Sequence, residues 1–302
     1  MAEFHPEQYY CAFQPTSTPR LCDIHALGNC VRPRRTTLST NEGAFTARPL
    51  PTSVQVVGYD TTSATLLVSD DDGAVDTVAL DPGTELTWSL GARHCAGTVF
   101  EGEHVACNEP AAPYCHQHQS TWVCARCTGT CLKDEMDCYD DHAVYLAAFA
   151  PAAFKVGVTK RWRLETRLRE QGADRGAHLS TVSNGRIARE LEAEIATDLS
   201  DFVRVDTKRA GLGSSVDDDA WAALLADFDV HEEFTFDYGL ALTERPVAET
   251  IATGTVRGTK GRLLVLDHAG TTYAVDVRDL VGYELTDGGT ERDLQSSLGA
   301  FG

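Results

Sequence analysis

Short runs of apolar and β-branched residues, separated by turn residues, mark two stretches of the chain as β structure. The first holds VQVVGYD, ATLLVSD, AVDTVALD and TELTWSL between residues 54 and 90, with turn signals at Asp71–Gly73 and Pro82–Gly83. This pattern predicts an antiparallel β-meander. The second, ATGTVRGTKGRLLVLDHAGTTYAVDVRDLVGYEL, comes late in the chain and turns at His268–Gly270. Because neither stretch is large enough to be stable alone, we expect them to meet in one small sheet or barrel.

The middle of the chain combines strand and helix patterns. AVYLAAFAP and AAFKVGVTK are strand-like runs around Pro151, and RWRLETRLREQ then places Leu164 and Leu168 on one helical face. A second helix is predicted after Asn184, a good starting residue, and a third over VDDDAWAALLADFD. The second helix carries apolar residues at four-residue spacing, namely Ile187, Leu191, Ile195 and Leu199. Together these patterns predict an α+β fold.

Five segments follow from these changes of pattern. Residues 1–52 are rich in Pro and Thr and show no clear periodicity, so we expect a disordered tail or a mis-assigned start codon. The remaining segments are an N-terminal β-meander (53–94), a cysteine-rich knuckle module (95–142), an αβ domain (143–245) and a C-terminal β segment (246–302).

Composition narrows the class of protein. The chain has 302 residues, of which 42% are hydrophobic, and it has no apolar run of about 18 residues that would span a membrane. The start, MAEFHPEQYYC, lacks the basic and apolar regions of a secretory signal, which predicts a cytoplasmic address. The net charge is -19, with 26 Asp, 19 Glu, 21 Arg and 5 Lys. This balance favours a salt-loving organism, in which acidity does not argue against a nucleic-acid partner.

Cysteines are concentrated between residues 107 and 138, where six of the ten lie together with His116 and His118. Disulfides would require an oxidising compartment, for which the sequence gives no sign. A redox CxxC would be a single pair in a βαβ unit, whereas Cys124 and Cys127 are flanked by further thiols. Zinc fits better, because it binds four S or N ligands that come in pairs two to four residues apart.

Eight residues can be divided into two structural zinc sites. The pair Cys115 and His118, completed by Cys95 and Cys107, gives a Cys₃His set. A Cys₄ set would consist of Cys124, Cys127, Cys131 and Cys138. His116 and His142 are alternative ligands. Four protein ligands leave no position for a catalytic water, so we expect the metal to supply folding energy to a segment with little core.

Positive charge is concentrated between residues 155 and 189, where the sequence has nine basic residues and three acidic ones. Such a surface is typical of phosphate binding, and it predicts RNA or DNA as a partner. The alternative is that these arginines pair with the acidic remainder of the chain. The candidate nucleic-acid-binding residues are Lys155, Lys160, Arg161, Arg163, Arg167 and Arg169.

The stretch that begins at residue 143 resembles a GIY-YIG nuclease domain. Ala143-Val144-Tyr145 stands where GIY would be, Lys155-Val156-Gly157 where YIG would be, and RLREQ and ARELEAEI where the arginine-bearing and glutamate-bearing helices would be. The resemblance implies that Tyr145 acts near the attacking water, Arg167 binds the scissile phosphate and Glu192 holds Mg²⁺ or Mn²⁺, with Glu190 as second choice. The YIG tyrosine is replaced by Lys155, and the family's late asparagine has no counterpart.

The wider layout is similar to an uncharacterised family, domain of unknown function 2797. The similarity covers roughly residues 54–290 and rests on RHCAG, PYC-x2-H, WVCARC-x3-CL, HAVYLAAF, FKVGVTK and GTKGRLLVL. It implies an architecture and no activity. The favoured function is a zinc-binding protein that binds RNA or DNA through a degenerate GIY-YIG-like domain. The alternatives are an active divalent-metal-dependent endonuclease and a zinc-scaffolded protein-interaction module.

Overall fold

The computed structural model describes residues 54–119 and 139–290, which form an α+β structure of mostly antiparallel, open sheets with few helices. The predicted α+β class is therefore confirmed. The expected tail over residues 1–52 and the proposed Cys₄ set lie outside the described residues. Within the part of the chain that is described, no helix is long and apolar enough to cross a membrane.

The largest sheet joins the N-terminal and C-terminal β segments. It has nine strands in the order β11-β14-β13-β12-β4-β15-β1-β2-β3. The first group of strands is β1 (Val54–Asp60), β2 (Thr65–Ser69), β3 (Val75–Ala79) and β4 (Glu85–Arg93). The second group is β11 (Val247–Ala248), β12 (Ala252–Lys260), β13 (Leu263–His268), β14 (Thr271–Asp276) and β15 (Tyr283–Asp287). We expected the two segments to meet in one sheet or in a barrel, and they meet in one open sheet.

The predicted meander holds for β1, β2 and β3, but β4 leaves it. Instead of pairing with β3, β4 lies between β12 and β15 and is antiparallel to both. The turn before β4 directs the chain toward β12. Gly83 in this turn has φ +90, and its N–H donates to the Val256 carbonyl of β12. The Val256 N–H donates in turn to the Thr84 carbonyl, so the chain joins the C-terminal strands before β4 begins.

A four-stranded antiparallel sheet forms the middle of the molecule, in the order β10-β9-β7-β8. Its strands are β7 (His142–Phe149), β8 (Ala153–Lys160), β9 (Arg175–Val182) and β10 (Glu232–Thr235). Every residue of β7 is buried, because this central strand is covered on both faces. Val144, Leu146 and Ala148 pack on one side, and Tyr145, Ala147 and Phe149 on the other.

Helices cover both faces of this sheet. A 3-10 turn (Arg161–Arg163) leads into α1 (Leu164–Glu170), and α2 (Gly185–Ile195), α3 (Val205–Ala210) and α4 (Asp218–Leu225) follow. The last helix, α5 (Val277–Leu280), packs instead against β1 and β14 of the nine-stranded sheet. Leu164 and Leu168 are buried as predicted, and the Asn184 side chain caps α2 by accepting from the Ile187 N–H. The predicted four-residue series of α2 holds in part, because Ile187 is 39% exposed and does not lie on the buried face, and α2 ends at Ile195, before Leu199. Ala188 and Glu192 occupy that face, with Leu191 and Ile195 beside them.

Two glycines let the nine-stranded sheet approach the middle layer closely. Gly172 follows α1 and Gly261 turns β12 into β13, and both have positive φ. A Cβ atom on Gly261 would lie 2.5 Å from the Gly172 nitrogen, so the two backbones touch where a side chain would not fit. Beside them, Lys260 Nζ lies 2.6 Å from Asp174 Oδ1. This contact fixes the β12–β13 turn against the end of α1.

Candidate metal centre and a buried polar cluster

Four potential metal ligands meet at one edge of the nine-stranded sheet. The ligand atoms of Cys95, Cys107, Cys115 and His118 all lie within 4.8 Å of one another. His118 Nδ1 is 3.3 Å from the sulfur of Cys95 and 3.3 Å from the sulfur of Cys115. These are the four members of the predicted Cys₃His set.

Each ligand is placed by a short piece of regular structure. Cys95 follows β4, and Cys107 follows a small hairpin of β5 (Thr98–Phe100) and β6 (Glu103–Val105). A turn brings Cys115 and His118 together, since the His118 N–H donates to the Cys115 carbonyl at 3.0 Å. Gly97 begins the hairpin with φ +61, and a Cβ atom there would lie 2.0 Å from the Val105 carbonyl oxygen. The hairpin therefore needs glycine at this position to return Cys107 to Cys95.

The backbone around the sulfurs favours thiolate. The N–H groups of Gly97 and Cys115 donate to the Cys95 sulfur at 3.4 and 3.2 Å. Burial raises the pKa of Cys115, but hydrogen bonds from the N–H groups of Gln117 and His118 outweigh it and lower this pKa to about 6. Burial raises the pKa of Cys95. One thiolate next to a protonated thiol is the charge state expected when several sulfurs share one small volume.

The donor set fits zinc. With Zn–S at about 2.3 Å and Zn–N at about 2.0–2.1 Å, a tetrahedral centre holds sulfur and nitrogen about 3.5 Å apart. The two sulfur–nitrogen distances of 3.3 Å are close to this value. The three cysteines that the structure describes are free thiols, which excludes disulfides among them. The cluster could therefore hold a metal ion such as zinc.

The two alternative histidines are placed elsewhere. His116 lies exposed beside the cluster, whereas His142 is buried in β7 and its Nδ1 is 2.6 Å from the Asp140 carbonyl oxygen. A further histidine, His94, was not predicted to take part. Its Nδ1 is 2.8 Å from the Cys107 carbonyl oxygen, and its Nε2 is 3.4 Å from Glu284 on β15. His94 thus ties the ligand loops to the sheet.

A second group of polar residues is buried in the middle layer, and we call Tyr145, Lys155, Arg167, Gln171 and Glu192 the buried polar cluster. Tyr145 is 1% exposed, Lys155 5% and Glu192 7%. Gln171 Nε2 donates to the Tyr145 hydroxyl at 2.8 Å. The charges of Arg167 and Glu192 act on both Tyr145 and Lys155. The structure therefore brings the three predicted catalytic residues, Tyr145, Arg167 and Glu192, into one neighbourhood.

Gly157 makes room for the tyrosine. Tyr145 and Gly157 are paired across β7 and β8. A Cβ atom on Gly157 would lie 2.6 Å from the phenol ring and hydroxyl of Tyr145, so the ring lies directly over the glycine. Gly157 is thus needed for packing.

Burial sets the charge states in the buried polar cluster. It raises the pKa of Tyr145, which is a neutral phenol at physiological pH. Burial, and then the charge of Arg167, lower the pKa of Lys155 to about 8. Lys155 Nζ donates to the Asp201 carbonyl at 2.8 Å. Glu192 is 2.5 Å from Arg189, so its carboxylate is engaged by a guanidinium at the position where a nuclease would need it to bind a metal ion.

The family of the chain can now be stated. A family model described as protein of unknown function, DUF2797, matches residues 91–285, which is more than half of the chain. The chain belongs to the DUF2797 family. The matched region is shorter than the predicted 54–290, but it contains the whole Cys₃His cluster and the whole buried polar cluster. Comparisons with curated proteins and with solved structures find no match.

Within the DUF2797 region, the basic residues between 155 and 189 contact carboxylates. Eight of the nine form ion pairs, and the ninth, Lys155, is buried. The pairs are Lys160 with Asp140, Arg161 with Glu232, Arg163 and Arg167 with Glu170, Arg169 with Glu165, Arg175 with Asp218, Arg186 with Glu190, and Arg189 with Glu192. Carboxylates of the same chain therefore neutralise much of the positive charge counted along the sequence. This is the alternative to a nucleic-acid-binding surface.

Three residues of the DUF2797 region were missed at these sites, namely His94, Gln171 and Arg189. His94 precedes Cys95 directly, so its closeness in sequence was a usable signal. Arg189 pairs with Glu192 three residues later on the same helix, α2, so this spacing was a usable signal. Gln171, at the C-terminal end of α1, donates to the Tyr145 hydroxyl, and this contact depends on how α1 packs on β7.

Proposed function

We propose that Cys95, Cys107, Cys115 and His118 bind one zinc ion that has a structural role. The observation that carries this proposal is the convergence of four soft or borderline ligands from three separate turns into a volume less than 5 Å across. Four protein ligands complete a tetrahedral site and leave no position for a catalytic water. The zinc ion would fix the loops that follow β4 to the edge of the nine-stranded sheet.

The surroundings of the four ligands support a structural role. The β5–β6 hairpin between Cys95 and Cys107 buries little, because Phe100 is 62% and Val105 56% exposed. A segment of this kind lacks the apolar contacts that would hold it in place. Zinc binding to thiolates and imidazole can supply on the order of 10 kcal/mol to such a fold. The total would be two zinc ions if the Cys₄ set, Cys124, Cys127, Cys131 and Cys138, forms a second site.

The test compares two neighbouring histidines by measuring the metal content of purified protein. His118→Ala should lose one zinc ion per chain relative to the unsubstituted protein, and its melting temperature should fall. His116→Ala is the matched control, because His116 is exposed and outside the ligand set. Equal zinc content in the unsubstituted protein and in His118→Ala would disprove the assignment.

A second candidate function is the binding of RNA or DNA near the buried polar cluster, and the observation that favours it is the proximity of Tyr145, Arg167 and Glu192. A guanidinium can bind a phosphate through two parallel hydrogen bonds. Binding without cutting fits better than an active nuclease, because Glu192 is paired with Arg189. Mg²⁺ or Mn²⁺ would first have to displace that guanidinium from the carboxylate.

Fluorescence anisotropy with labelled single-stranded and double-stranded oligonucleotides tests this second function, with and without Mg²⁺ and Mn²⁺. Binding without cleavage is the expected result. Glu192→Gln should abolish any metal-dependent cleavage that does occur, whereas Glu190→Gln, on the exposed side of α2, should not. The absence of any anisotropy change at low and high salt would rule out the nucleic-acid partner.

A further inference from the structure

A cavity of about 70 Å³ lies between the nine-stranded sheet and the middle layer, and we call it the inter-sheet pocket. Its walls come from four places: the end of α1, the helix α3, the turn between β12 and β13, and the turn after β1. The lining residues that matter for binding include Tyr59, Arg167, Glu170, Lys208, Lys260 and Arg262.

The charge of this lining is opposite to that of the molecule. Four cationic side chains and one carboxylate, Glu170, surround the pocket, whereas the whole chain has a net charge of -19. Glu170 is itself held by two guanidinium groups, at 2.7 Å from Arg163 and 3.3 Å from Arg167. Lys260 and Arg262 have carboxylate partners as well, namely Asp174 and Asp276. Together with Arg163, the lining residues and their partners comprise five cationic and three anionic side chains. The excess of two positive charges means that an anion that enters the pocket meets a positive local potential.

The cationic groups are held in fixed positions. Lys260 Nζ lies 2.6 and 2.8 Å from the two carboxylate oxygens of Asp174. Arg262 binds Asp276, and Lys208 donates to the Gln171 carbonyl while it lies 4.5 Å from the centre of the Phe149 ring. Side chains fixed by such contacts lose little further freedom when a ligand binds, which favours binding.

A neutral donor adds to the cations. Burial raises the pKa of Tyr59 to about 12, with the nearby charge of Arg262 as an opposing influence. The phenol therefore keeps its proton at physiological pH and can donate a hydrogen bond. Thr61 brings a hydroxyl group to the same wall.

We propose that the inter-sheet pocket binds a single phosphate group, either as inorganic phosphate or as the terminal phosphate of a small ester. A water molecule occupies about 30 Å³ in the liquid, so a cavity of about 70 Å³ has room for about two water molecules or one small anion. Phosphate is a strong acceptor of charge-assisted hydrogen bonds from guanidinium and ammonium groups. Because the lining comes from both sheets, the bound anion would link them.

This inference is independent of the zinc proposal, since the inter-sheet pocket shares no residue with the Cys₃His cluster. It shares Arg167 and Gln171 with the buried polar cluster. The test therefore substitutes neither of these two residues, so that a negative result for the pocket can be separated from a negative result for nucleic-acid binding.

Isothermal titration calorimetry with inorganic phosphate and with adenosine monophosphate tests the proposal, using the full chain at constant ionic strength set by sodium chloride. We expect saturable binding of one anion per chain. Adenosine, which lacks the phosphate, should not bind. Tighter binding of the monophosphate than of inorganic phosphate would identify an ester as the ligand, and the reverse order would identify the free anion.

Two substitutions locate the binding site. Thr61→Glu brings a carboxylate to the pocket wall without removing any of the four cations, and Lys208→Gln removes one cation. Each should weaken phosphate binding about tenfold or more, because a hydrogen bond to a charged group is lost or opposed. Thr62→Glu is the matched control, with the same change of charge at the exposed neighbouring residue, and it should alter the affinity less than twofold.

Three results would overturn the proposal. These are the absence of saturable phosphate binding to the unsubstituted chain, equal weakening by Thr61→Glu and Thr62→Glu, and unchanged affinity in both Thr61→Glu and Lys208→Gln. Circular dichroism of each variant shows whether it is folded. If Lys208→Gln fails to fold, the comparison of Thr61→Glu with Thr62→Glu still decides the outcome.

Discussion

Replacing the buried Lys155 by Met should make the protein more stable at neutral pH. Lys155 is 5% exposed, and its pKa is lowered from an ordinary 10.5 to about 8, first by burial and then by the charge of Arg167. A depressed pKa means that the folded protein binds the Lys155 proton more weakly than the unfolded chain does. Keeping Lys155 charged in the folded state therefore costs free energy.

The magnitude follows from the change in pKa. One pKa unit corresponds to about 1.4 kcal/mol, so the cost at pH 7 is about 3 kcal/mol. The hydrogen bond from Lys155 Nζ to the Asp201 carbonyl, which Met would lose, offsets about 1 kcal/mol. Lys155→Met should thus raise the free energy of unfolding at pH 7 by about 2 kcal/mol.

The pH dependence of the free energy of unfolding provides a second, independent test. Between pH 8 and 10.5 the unfolded state binds more protons at Lys155 than the folded state does, so stability rises with pH in this window. The cost is fully present below pH 8 and disappears above 10.5. The advantage of Lys155→Met should therefore shrink as the pH rises from 8 to 10.5, because Met does not titrate.

Urea unfolding at several pH values, followed by circular dichroism, measures both effects. Titrating cysteines influence the unsubstituted protein and the variant alike, so their contribution cancels in the difference. Lys160→Met, at the half-buried end of the same strand, is the control, because Lys160 pairs with the exposed carboxylate of Asp140, and it should change stability by less than about 1 kcal/mol. Parallel stability curves for the unsubstituted protein and Lys155→Met from pH 7 to 10.5 would refute the reasoning.

Three further substitutions test the packing. Gly157→Ala brings a Cβ atom within 2.6 Å of the Tyr145 ring and should cost about 1–3 kcal/mol in urea unfolding, so an unchanged midpoint would contradict the described contact. Gly261→Ala should destabilise the protein for two reasons, its φ of +55 and the 2.5 Å approach to the Gly172 nitrogen, and a neutral effect on the melting temperature would count against close contact of the two layers. Asp217→Ala removes the cap of α4 and should lower the unfolding free energy by about 1 kcal/mol, whereas Asp217→Asn should retain most of it.

The sequence determined the local elements well, because their signals are local. Short apolar and β-branched runs gave β1 to β3, the starting residue Asn184 gave the start of α2, and the turn at His268–Gly270 gave the β13–β14 hairpin. The spacing of Cys115 and His118 also predicted their proximity, since one turn brings residues three apart together. Ile187 was misjudged because four-residue spacing defines a stripe on a helix but does not tell which flank of the stripe meets the sheet.

Only the tertiary structure decided which distant residues meet. Electrostatic pairing is the clearest case: a run of arginines predicts a positive surface, yet Arg161 lies beside Glu232 and Arg175 beside Asp218, far along the chain. The place of β4 between β12 and β15 also depends on contacts between residues that are distant in the sequence, and so does the inter-sheet pocket. Hydrophobic periodicity indicates which face of a helix or strand is apolar. Which other helices and strands that face packs against depends on the packing of all the elements at once. The sequence therefore specified the local elements and one candidate set of metal ligands, and the tertiary structure decided how the charges are neutralised and where a cavity with a cationic lining remains.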